Sequence, residues 1–153
     1  MNANMMAKSA RALVALCFIG IAAVHAQAEE EFSMGNGELN WISVDSVTRD
    51  ESTLTFSEVN INGNGWLVMH PFEDGSPNGD KYVAATYLKD GKNSNVEILV
   101  HKGISTGEMF IVMLHRDVNE NEIFDFVFID DTNVMDLAVF EGSKMIGHVM
   151  PAP

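Results

Sequence analysis

Apolar residues in this chain recur at every second position, in short runs closed by Gly, Asn, Asp or Pro, and that period restricts the fold more than any other feature. A period of two sends side chains alternately to the two faces of a strand. It predicts strands over 39–48, 53–61, 65–71, 81–88, 95–101, 108–115, 124–129 and 144–150, with "GNGW", "EDGSPNGD", "KDGKNSN" and "HKGISTG" as turns between them. No window of ten residues carries a convincing helical stripe; the nearest, "NVMDLAVFEG" at 133–142, is expected to hold a short helical turn. Strands at this spacing predict an all-β fold, an antiparallel immunoglobulin-like β-sandwich of seven or eight strands. In "GWLVMHPF" and "EMFIVMLH" both alternating sets are apolar, so these two runs should be central or covered on both sides. "NVEILVH" alternates more cleanly: Val96, Ile98 and Val100 should face the core and Glu97 and His101 solvent, with Leu99 the exception.

The first residues follow a different logic. Lys8 and Arg11 precede an apolar run over 13–24, and Ala26-Gln27-Ala28 offers small residues for cleavage, so residues 1–28 read as a secretory signal peptide. The run is short for a membrane span, and no membrane insertion is expected after cleavage. The expected compartment is periplasmic or extracellular. Residues 29–38 read as a flexible acidic lead-in, and 39–153 as one β-sandwich domain. The single cysteine, Cys17, lies within the signal, so the mature fold would have no disulfide. All 22 acidic residues but only seven of the nine basic ones follow residue 28, a formal charge of about −15, which argues against nucleic acid as a partner.

Two groups of residues suggest metals. In "HRDVNENEIFDF" (115–126), Asp117, Asn119, Asn121, the carbonyl of Ile123 and Asp125 have the one-three-five-seven-nine spacing of a calcium loop. Glu122 stands where such loops have Gly, and Phe128 where they have the bidentate Glu. The plain alternative is a turn whose Asp and Asn side chains cap their own backbone. The softer group is His70, Met113, His115, His148 and Met150. Met113 and His115 lie two apart, as do His148 and Met150, so each pair shares a strand face, and imidazole with thioether suits copper in its reduced state. If the last strand lay beside that of His115, four ligands could meet. Against this, strand methionines are ordinarily core filler.

"GISTG" (103–107) spells a nucleophile elbow, but a strand follows Ser105 where a helix is required, so it reads as a turn. The neighbouring carboxylates Glu73 and Asp74, or Asp130 and Asp131, would diverge on an extended chain, and no enzyme is expected.

The order "NGNGWLVMH", "YLKDGKNSNVEILV", "GEMFIVMLHRDVNENEIFDFV" resembles a domain-of-unknown-function family of secreted and cell-surface proteins, abundant in salt-loving archaea and present in bacteria. The resemblance covers 42–150 and falls on Gly65, His70, Gly91, Asn95, His115, Asp117, Asn119, Asn121, Asp125, Phe126 and Val127; this chain has Glu120 where the family often has Gly. It implies a secreted β-sandwich module and supplies no activity. The expectation is therefore a non-enzymatic exported interaction or structural module with an unknown protein or surface partner, steadied by calcium. The alternative is a periplasmic copper-binding protein.

Overall fold

A computed structural model describes residues 33–126 and 136–153. The signal-peptide reading lies outside the described residues, as do residues 127–129 of the expected strand and 133–135 of the expected helical turn.

The described residues form twelve strands and no helix: β1 Ser33–Gly35, β2 Trp41–Ile42, β3 Thr48–Asp50, β4 Thr53–Ile61, β5 Gly65–Glu73, β6 Ser76–Pro77, β7 Ala84–Leu88, β8 Gly91–Leu99, β9 Met109–Asp117, β10 Asp136–Ala138, β11 Phe140–Glu141 and β12 Lys144–Pro151. Six are long and correspond to the strongest sequence alternations. The other six, of two or three residues, raise the count above the seven or eight expected. The expected strand over 39–48 is reduced to β2 and the first residue of β3; before β2 the Glu141 carboxylate takes the Leu39 and Asn40 N–H groups, and the Asn36 side chain bonds both backbone groups of Ile42. The described part of 133–142 is β10 and β11 rather than a helical turn, since these residues pair with β9 and β12.

Two sheets result. One runs β1-β12-β9-β5-β6, with β7 on β5, β10 on β9 and β11 on β12; the other is β2-β4-β3 with β8 also on β4. All pairs are antiparallel except β1 with β12, which is parallel. β1 falls within the stretch expected as a lead-in; the edge of β12 gives its backbone donors and acceptors partners.

The core lies between the sheets. Leu54, Phe56, Val96, Ile98 and Val100 meet Leu67, Met69, Phe110, Val112, Leu114 and Ile146 there. Val96, Ile98 and Val100 are buried while Leu99 is half exposed, as the alternation of that run predicts. β5 and β9 are central, and their second faces are buried too: Trp66, Val68, Ile111 and Met113 lie outside the main core cluster yet are nearly inaccessible. An aromatic layer covers part of that outer face. Trp66 packs on Tyr87 and Phe124, and Tyr82 meets Phe124 and Phe126 edge-on.

Candidate metal centre

His70 and His115 occupy the outer face of β5 and β9. In register, His70 is opposite Ile111 and His115 opposite Trp66, four residues apart along the strands or roughly 13 Å at the usual rise. Each imidazole leans along the sheet toward the other. Their Nε2 atoms approach to 3.2 Å, with the rings 29° from parallel. Val68 and Met113, themselves register partners, lie midway between the two histidines.

The other ring nitrogens fix the chemistry. His70 Nδ1 lies 2.6 Å from the Lys81 carbonyl oxygen, and His115 Nδ1 lies 2.9 Å from that of Asp136. A carbonyl oxygen only accepts, so each Nδ1 carries its hydrogen, and in a neutral imidazole the Nε2 is then a bare lone pair. Two lone pairs therefore face each other. A hydrogen bond across the gap would require one ring to be cationic. Burial opposes that, holding His70 below its ordinary value and His115 at about 4, against the weaker upward pull of the carbonyls; for His115 the neighbouring His70 charge adds to the lowering. With both rings neutral, the gap holds two converging nitrogen donors and no hydrogen.

These donors suit a transition-metal ion. Bonds of roughly 2.0–2.1 Å from one centre to two nitrogens 3.2 Å apart correspond to an angle of about 100° at the metal, near the tetrahedral value. The carbonyl-bound Nδ1–H groups supply the outer support that histidine ligands ordinarily have. The pair opens onto a cavity of about 380 Å³ lined by His70, Gly79, Met113, His115, Phe126, Leu137, Ala138 and Phe140. Phe126 meets both imidazoles edge-on, at 5.6 and 5.5 Å between ring centres.

His148 and Met150 do not join them. β12 does lie beside β9, as four-ligand convergence required, but its register sets His148 opposite Val112 and Met150 opposite Phe110, on the core side of the sheet. Cross-strand partners share a face, so the residue of β12 beside Met113 is Gly147. Met150 is core filler, and His148 Nε2 bonds the Asn36 side chain 2.8 Å away. The five-residue soft set is corrected to three: His70, Met113 and His115.

The 117–125 segment is a self-capped turn. Asp117 accepts the backbone N–H groups of Asn121 at 3.3 Å and Glu122 at 3.0 Å. Asp125 Oδ2 accepts from the Asn119 and Asn121 side chains, which hold its carboxyl below the usual range, and Asn121 Oδ1 accepts from Ile123 N. Glu122 takes the left-handed conformation, φ 57°, that Gly would adopt at that position. One oxygen is not absorbed. Asp136, opposite Asp117 in register, accepts Asp125 N–H at 2.7 Å through Oδ2, while its buried Oδ1 has no partner. Burial pushes the Asp136 carboxyl above the usual carboxylate pKa, opposed by the Asp125 and Val118 N–H groups, and the Asp117 and Asp125 charges push it further up. Among the described residues, no three His, Cys, Asp or Glu side chains converge closely enough to hold an ion by themselves.

"GISTG" is a turn in the loop that carries the chain from β8 in one sheet to β9 in the other, not the turn of a hairpin, since β8 and β9 do not pair. Gly107 N–H bonds the Ala152 carbonyl, and Arg49 bonds the Ile104 carbonyl and the Thr106 hydroxyl. Sequence reasoning missed Phe124 and Phe126 as cover, the Lys81 and Asp136 carbonyls as acceptors of the imidazole N–H groups, and Gly147 as the neighbour of Met113. The alternate aromatics of "IFDF" carried a signal for the first; the rest depend on register.

A family model described as domain of unknown function DUF7282 matches residues 40–146. The chain belongs to this family. The matched span contains both histidines, Met113 and the whole 117–125 turn. No curated protein and no solved structure matches the chain.

Proposed function

We propose that this member of the family is an exported, non-enzymatic β-sandwich module that binds a transition-metal ion between His70 and His115. The observation that carries the reading is the pair of bare Nε2 atoms facing one another at 3.2 Å, each ring held by its Nδ1–H on a backbone carbonyl. Such a pair is strained when empty, because two acceptors oppose each other in a buried place. A metal ion turns that opposition into two bonds. Export rests on the N-terminal pattern of charge, apolar run and small residues over 1–28.

The test is a thermal melt of the purified protein with chelator and with each of zinc(II), copper(II), nickel(II) and silver(I). A ligand that binds only the folded chain raises the midpoint in proportion to the logarithm of its excess. At least one ion should do so saturably in the natural protein and not in His70→Ala or His115→Ala. No response to any ion would end the reading.

A second reading, calcium in the 117–125 turn, is favoured by the partnerless Oδ1 of Asp136 beside Asp117 and Asp125. The carboxylate missing from the twelfth position would then come from β10. A midpoint raised by millimolar calcium and not by magnesium supports it.

A further inference from the structure

We infer that the ion held by His70 and His115 is a soft monovalent one, copper(I), and that Met113 is its third ligand. This rests on the metal-binding reading above and adds the identity of the ion.

Register places Met113 first. The histidines approach from opposite directions along neighbouring strands, and the residue of β9 at the midpoint of their span, on the same face, is Met113. Its side chain lines the same cavity as the two imidazoles. The next strand leaves room for it. Gly147 of β12 is its partner, and a Cβ at that glycine would come within 2.9 Å of Met113 Cγ and 3.0 Å of the Val112 carbonyl oxygen. Any larger residue at 147 would displace the thioether.

Charge and ligand type then select the ion. The three donors, two imidazoles and a thioether, are all neutral. Among the described residues, the others lining the cavity, Gly79, Phe126, Leu137, Ala138 and Phe140, bring neither a carboxylate nor a thiolate. A divalent ion would keep its full charge in an apolar enclosure, which is costly without an anionic partner. A monovalent ion leaves half that charge. Thioether sulfur favours copper(I), whereas protein zinc sites ordinarily take four ligands, among them thiolates or carboxylates.

The experiment is an anaerobic titration of the purified protein with copper(I) against a chromophoric copper(I) competitor, with zinc(II) titrated in parallel. One equivalent of copper(I) should bind, with zinc(II) on the order of 100-fold weaker. Met113→Leu, which conserves volume, should keep the melting midpoint of the metal-free protein, lose roughly 10-fold or more in copper(I) affinity, and leave zinc(II) affinity unchanged. Gly147→Ala should lower copper(I) affinity in the same direction without removing a ligand. X-ray absorption of the copper(I)-loaded protein should show a sulfur neighbour that Met113→Leu lacks. Zinc(II) binding as tightly as copper(I), or Met113→Leu binding copper(I) unchanged, would overturn this inference and leave the metal-binding reading standing. Failure of every ion to bind would overturn both.

Discussion

The His70–His115 pair and the 117–125 turn adjoin the same strand, and they treat their polar atoms in opposite ways. The turn closes on itself: both Asp117 oxygens take backbone N–H groups, and Asp125 takes two side-chain amides. The histidine pair is supported on its outer nitrogens, and its inner ones face each other at 3.2 Å with no hydrogen between them when both rings are neutral. A satisfied cluster stabilises the chain by itself. An unsatisfied one, held rigidly by central strands, costs stability until something arrives. That difference makes the more motif-like segment the weaker functional candidate and the scattered histidines the stronger.

The comparison can be broken most directly at His115. Saturating the metal that binds should raise the midpoint of the natural protein by several degrees, with stabilisation of about 3 kcal/mol at a hundred-fold excess over the dissociation constant. His115→Ala should abolish the rise. A variant that keeps the response would move the site elsewhere.

The metal-free protein gives the next largest effect. Burial holds His115 at about 4, below its ordinary value, so the unfolded chain takes up a proton first as the pH falls. The stability tied to this ring is fully present above pH 6.5 and drains away toward pH 4. Urea unfolding at pH 7.5 and 4.5 in chelator should differ by about 2–3 kcal/mol from this ring, with His70 adding in the same direction. A His70→Leu, His115→Leu double variant should lose that part of the slope.

In the turn, Asp117→Ala deprives two backbone N–H groups of their acceptor and should cost about 1–2 kcal/mol in chelator. If the loss grows when calcium is added, the second reading gains; if it is equal in both, the carboxylate is a cap alone. Smallest is Asp136→Asn, which removes a charge that Asp117 and Asp125 disfavour and should stabilise the metal-free protein by less than about 1 kcal/mol. The same change should erase any calcium response.

The long strands were legible because burial on one or both faces writes itself into alternation, as in β8 and β9. The short strands β1, β2, β10 and β11 were not, because two or three residues carry no period. For the site, residue type and spacing along one strand placed Met113 and His115 together. Which strand of histidine would meet them was a matter of cross-strand register, and a single residue decides the face. His70 falls on the outer face and His148 on the core face for that reason alone. The carbonyls of Lys81 and Asp136 belong to backbone that no side-chain pattern reports.

The parallel pairing of β1 with β12 has a consequence for handling this protein. Ser33–Gly35 lies along Lys144, Met145 and Ile146, and the Asn36 side chain and carbonyl reach His148 and Lys144. A chain trimmed to begin at residue 38 would leave that rim of β12 with unpaired amides and carbonyls beside the half-exposed Val149. An open strand rim of this kind recruits a second chain. Trimming should therefore produce concentration-dependent self-association, seen by light scattering, before any loss of melting temperature.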